Sequence, residues 1–123
     1  MNSYESTISR IRAFRDARDW MQFHNPKNLA ISISLEAGEL LEHFQWKSME
    51  ESEAHGKTAS KEVAEEIADV AIYLFELTDN LGIDLFAAID AKLQKNEAKY
   101  PAKQVRGSSK KYTEYAANHH LEK

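Results

Sequence analysis

Residues 61–81, KEVAEEIADVAIYLFELTDNL, decide the fold. Val63, Ile67, Val70, Leu74, Leu77 and Leu81 recur at three- and four-residue steps, which is the period of an amphipathic helix. Gly82 follows the last of them and suits a left-handed C-terminal cap. Ile72 and Phe75 fall on the opposite side. A helix that is apolar on both sides is buried on both sides. A chain of 123 residues has too little else to cover both, so the pattern predicts a homo-oligomer, dimer or tetramer, built across this helix.

Outward from that helix the punctuation is sparse, with two prolines and four glycines. Ile8, Ile11 and Phe14 step by three and predict a first helix over roughly Tyr4 to Trp20. Asn25-Pro26 reads as an N-cap followed by proline at the first helical position, so a second helix is expected from Pro26 to about Lys47. The polar, aperiodic stretch Ser48 to Ser60 reads as a loop with frayed helix ends. Asp84 is placed to cap a fourth helix that ends near Tyr100, where Pro101 stops it. The expected fold is therefore all-α, a four-helix bundle-type domain over residues 1–104 completed by homo-oligomerisation. Residues 105–123 are expected to form an extended C-terminal tail, partly ordered.

The formal net charge of -4 disfavours non-specific nucleic-acid binding, which depends on cations that neutralise phosphate. The chain has no cysteine, which excludes disulfides, thiolate nucleophiles and every Cys-containing metal site. The charged N-terminus, MNSYESTISRIRAFRDARDW, lacks an apolar signal core, and no apolar run approaches the ~20 residues of a membrane span. These features predict a cytoplasmic protein without a membrane partner.

Carboxylates occupy positions where a core is expected. Leu29, Ile33, Leu40 and Phe44 define the inward stripe of the second helix, and Glu36 lies in its middle with Glu39 beside it. Glu66 and Asp69 sit three apart on the third helix, and Tyr73 continues their side. Two unit charges ~4 Å apart repel by ~4 kcal/mol at an effective dielectric of ~20. Convergent carboxylates therefore require protons or cations between them. All-oxygen ligands without Cys or a His partner point to a hard cation, Mg²⁺ or alternatively Mn²⁺. A di-iron carboxylate bundle needs Glu-x-x-His on two helices; here the third residue after Glu36 is Glu39, and after Glu66 it is Asp69.

Glu36-Ala-Gly-Glu39 followed by Glu66-Ile-Ala-Asp69 resembles the metal signature of the all-α nucleoside triphosphate pyrophosphohydrolases, the MazG-like superfamily. Arg18-Asp19-Trp20, Phe23-His24, Phe44-Gln45-Trp46-Lys47-Ser48, Arg106-Gly107-Ser108 and Lys111-Tyr112-Thr113 are similar to its dCTP pyrophosphatase-like branch, so that the likeness runs from about Phe14 to Thr113. The resemblance implies a Mg²⁺-dependent cut between the α- and β-phosphates of a nucleoside triphosphate, with Glu36, Glu39, Glu66 and Asp69 as catalytic metal ligands. It implies a base and sugar pocket drawn from Trp20, His24, Trp46 and Tyr73, and a role for Lys92 and Asn96 toward the triphosphate. Arg106 and Lys111 are candidates for closing over the phosphates, and Lys99, on the same stripe as Lys92, stays open. The loop from Met49 to Ser60 departs from the branch. The expected substrate is dCTP or a modified dCTP, in nucleotide-pool sanitation. The alternatives are dUTP or another nucleoside triphosphate, or a non-catalytic dimeric helical interaction module.

Overall fold

The computed structural model describes residues 3–108. Among these the regular elements are six α-helices and one 3-10 turn, with no strand: α1 (Tyr4–Ala17), the turn Met21–Phe23, α2 (Pro26–Glu42), α3 (Met49–Thr58), α4 (Ser60–Asn80), α5 (Leu85–Lys99) and α6 (Ala102–Val105). The all-α expectation is borne out. The chain divides into two compact units, Met1–Ile83 and Asp84–Lys123, and each is described by itself.

In the first unit α4 is the central element: α2 packs along it, and α1 and α3 also pack against it. The helix starts follow from local chemistry. Asn25 Oδ1 accepts from the Asn28 N–H at 2.9 Å, with Pro26 in the first turn of α2. Gly82 ends α4 at a φ of +69°, and the Ile83 N–H reaches back to the Thr78 carbonyl at 2.8 Å; a residue without a Cβ adopts that conformation at no steric cost.

One expectation needs correction. Ser48 to Ser60 is not a loop but mostly α3. Ser48 accepts from the Glu51 N–H at 3.1 Å while Glu51 Oε1 accepts from the Ser48 N–H at 3.0 Å. This reciprocal capping box starts a helix that buries none of its residues. Its polarity hid it because no core-facing stripe was needed. The second helix is also shorter than expected, ending at Glu42, with turns over residues 43–46.

The described core is small. Among the described residues only Ile8 and Leu29 are buried apolar ones, while Arg15 and Glu76 are buried charged ones. Both faces of α4 remain open: Ile67 is 52% exposed on one side and Ile72 43% on the other. Leu35 and Leu41 on α2 are exposed as well.

In the second unit Asp84 Oδ1 accepts from the Ala87 N–H at 3.0 Å and caps α5. The helix ends at Lys99, just before Pro101, as the proline predicts.

Candidate metal centre and aromatic cleft

Glu36 and Glu39 share one side of α2 because they lie one turn apart, and α4 supplies Glu66 against them. One carboxylate oxygen from each of Glu36, Glu39 and Glu66 lies within 4.8 Å of the other two. Oε2 of Glu36 and Oε2 of Glu66 are buried without a hydrogen-bond partner. Buried acceptors are normally satisfied, so two orphaned carboxylate oxygens facing a third acid leave lone pairs for a cation. Burial, followed by the hydrogen-bonding contact and charge of Glu39 and then the charges of Asp69 and Glu66, pushes Glu36 up to about 7 from an ordinary 4.5. Glu66 is raised as well, first by burial and then by Glu39. The donor set is wholly carboxylate oxygen, which fits a hard divalent cation.

Asp69 stands outside that group of three. It lines an adjoining cleft of about 460 Å³ together with Phe14, Trp20, His24, Tyr73 and Glu76, while its charge is felt by both Glu36 and Glu66. Tyr73 follows Asp69 by one turn of α4, as the sequence placed it. The segment between α1 and α2 forms the opposite wall. There the Trp20 ring meets Phe14 edge-on at 5.8 Å and His24 at 6.1 Å. Asp19, at a φ of +53°, turns the chain just before Trp20; aspartate tolerates this conformation better than most residues.

The structure therefore brings together Trp20, His24 and Tyr73 beside Asp69, and Glu36, Glu39 and Glu66. It does not bring Trp46 to this cleft: that residue is 88% exposed in the turn after α2. Lys92 and Asn96 lie on α5, and Arg106 follows α6, all in the second unit. Lys111 lies outside the described residues.

The sequence reading missed Glu76, Phe14 and Arg15 as cleft residues. Glu76 is 3% exposed and is paired with His24 Nδ1. Its signal was present in the spacing, since Glu66, Asp69, Tyr73 and Glu76 follow one another at three- and four-residue steps on one side of α4. Also unforeseen is a second cavity of about 390 Å³, lined by Glu39, Glu42, His43, Lys47, His55 and Glu66. In it His43 Nδ1 lies 2.8 Å from His55 Nε2.

A sequence profile of the MazG-like family matches residues 31–115. The chain belongs to the MazG-like family. This MazG-like chain is 42% identical over 118 residues to human (Homo sapiens) dCTP pyrophosphatase 1, covering 91% of this chain and 69% of the relative. It is 40% identical over 118 residues to dCTP pyrophosphatase 1 of Bos taurus, covering 91% of this chain and 70% of that one. The crystal structure of a pyrophosphatase from Archaeoglobus fulgidus superposes with a TM-score of 0.78 at 47% identity, covering 82% of this chain and 94% of the other. The resemblance read from the carboxylate pairs is borne out, and so is the expectation of an enzyme of the nucleotide diphosphatase kind. None of the helices among the described residues is long and apolar enough to cross a membrane.

Proposed function

We propose that this chain hydrolyses dCTP, or a dCTP modified on its base, to the monophosphate and pyrophosphate with Mg²⁺ as cofactor. The observation that carries this reading is the meeting of Glu36, Glu39 and Glu66 oxygens, two of these residues with an orphaned buried oxygen, next to an aromatic cleft. The names of the relatives, dCTP pyrophosphatase 1, supply the substrate.

Glu36, Glu39, Glu66 and Asp69 would hold the cation, with Mn²⁺ as its substitute. When bound, it supplies neutralisation of phosphate charge and a lowered pKa for water. The chain itself contributes binding and orientation. Trp20 and Tyr73 offer ring faces on which a base stacks for ~1–3 kcal/mol each. His24 offers a polar edge between them. Lys92, Asn96, Arg106 and Lys111 are assigned to the triphosphate, and Trp46 to the base pocket, on the resemblance alone.

The reading includes a catalytic domain over residues 1–104 with a tail over 105–123, a cytoplasmic location, and a role in clearing unwanted nucleotides from the pool. It also includes homo-oligomerisation, which the two open apolar faces of α4 support.

The test is pyrophosphate release from the four dNTPs, dUTP and the four NTPs, each with Mg²⁺ and with EDTA. Expected is dCMP plus pyrophosphate from dCTP, lost in EDTA. Turnover of dUTP in place of dCTP would keep the chemistry and replace the substrate. No release from any nucleotide would overturn the enzyme reading in favour of an interaction module.

A further inference from the structure

Glu76 places a carboxyl group inside the cleft that the metal chemistry does not use. It is 3% exposed, and its Oε1 faces His24 Nδ1. A carboxylate oxygen accepts hydrogen bonds, so the arrangement that satisfies this contact is the one with the hydrogen on Nδ1. In the neutral imidazole the other nitrogen, Nε2, then carries a lone pair. His24 is held in place from other sides too. Its carbonyl accepts from Asn80 Nδ2 at 3.0 Å. Its ring lies between Trp20 and Tyr73, with centroids 6.1 Å and 6.5 Å away. Among the described residues Nε2 has no hydrogen-bond partner, and the ring lines the cleft.

We propose that Glu76 is a positioning residue that fixes His24 as its Nδ1–H tautomer, so that Nε2 accepts a hydrogen from the exocyclic amine of a 4-aminopyrimidine base. The inference rests on the nucleotide reading above and supplies the physical basis of its base preference. Cytosine presents an amine donor at position 4, whereas uracil and thymine present an oxygen acceptor there. Two acceptors facing each other leave both unsatisfied and repel. A site built to hydrogen-bond one substrate group rejects the analogue that lacks it far more strongly than an apolar pocket does. The tautomer decides the direction of the choice, because an Nε2–H ring would favour the 4-oxo bases instead.

The first measurement is the ¹⁵N spectrum of the His24 ring in the full-length wild-type protein. A pyrrole-type Nδ1 and a pyridine-type Nε2 are expected. The second is kcat/KM for dCTP and dUTP in wild type, Glu76→Leu and Glu76→Gln. Leucine removes the acceptor and frees the tautomer, so the preference for dCTP over dUTP should fall by about tenfold or more. Glutamine can turn either its oxygen or its NH₂ toward Nδ1 and so holds the tautomer less firmly, and its preference should fall between those of wild type and Glu76→Leu. A merely structural loss in Glu76→Leu lowers both values together; an unchanged ratio therefore overturns the proposal. So does an Nε2–H or doubly protonated ring in the wild type. The wild-type spectrum needs no variant, so it decides the matter even where Glu76→Leu does not fold. Failure of the nucleotide reading has a different signature: wild type then releases pyrophosphate from neither substrate, and recognition of the amine falls with it, whatever the ring spectrum reports.

Discussion

Glu36 is subject to two opposing demands. Its position in the apolar stripe of α2 makes its charge costly, and Glu39, Asp69 and Glu66 raise that cost further. In its proposed role as a cation ligand it must nevertheless be ionised. We therefore expect Glu36→Gln to abolish pyrophosphate release while the metal-free variant melts several degrees higher than the metal-free wild type, because an uncharged amide avoids the desolvation and repulsion. Turnover near the wild-type rate would remove Glu36 from the mechanism. The pH dependence follows from the same residue. Its folded-state value of about 7 lies above the ordinary 4.5, so the folded protein holds a proton that the unfolded chain has released between those limits. The metal-free protein should therefore lose stability as pH rises from about 4.5 through about 7, with Mg²⁺ restoring most of it above pH 7. Thermal melts across this range, with and without Mg²⁺, read the effect directly; a flat profile without metal would contradict it. Glu36 was legible in the sequence because a carboxylate within Leu29, Ile33, Leu40 and Phe44 has no bland explanation. For Glu76 the helix side was legible from its spacing to Glu66, Asp69 and Tyr73, but the pairing was not, because its partner His24 is 52 residues away.

At the scale of elements, α3 and α4 are built on different principles. α4 is held by what packs on it, from α1, α2 and α3, and its ends tolerate imperfection: no side chain caps its N-terminus. α3 buries nothing and begins with a full capping box. Removing that box should matter to α3 alone. Ser48→Ala is expected to cost about 1 kcal/mol locally, seen as faster amide hydrogen exchange over residues 49–58, with dCTP turnover kept within about twofold. Exchange that stays slow would show that α3 is held by contacts rather than by its cap. The sequence signal for this helix was Ser48-Met-Glu-Glu51, a short-range pattern; a reading based on apolar periodicity passes over it. Elsewhere the caps were legible: Asn25-Pro26, Gly82 and Asp84 each do what their chemistry predicts. Across elements, Arg12 of α1 and Asp79 of α4 form an ion pair that holds the Asp79 carboxyl below its usual range. No local pattern announces a pair 67 residues apart.

For the whole molecule, the double apolar face of residues 61–81 anticipated what the structure displays. Ile67 and Leu74 stay open on one side of α4 and Ile72 on the other. A solitary chain gains nothing from these surfaces, whereas copies that bury them stabilise one another by roughly 25 cal/mol per Å² of apolar area removed from water. Melting temperature should therefore rise with protein concentration, and light scattering should give a mass that is a multiple of 14.1 kDa. A concentration-independent melt with monomer mass would refute the oligomer. The all-α architecture and the acidic pairs follow from local spacing and could be read in one dimension. The small core, the His24–Glu76 pair and the second cavity arise only when distant segments meet. The same open faces also bear on how the protein is made. If copies assemble as proposed, a newly synthesised one leaves the ribosome before it has found a companion, with leucine and isoleucine still facing water. During that interval scarcity of other copies is the hazard, so slow, low-level expression would favour chaperone capture or precipitation, and a burst of synthesis would favour assembly.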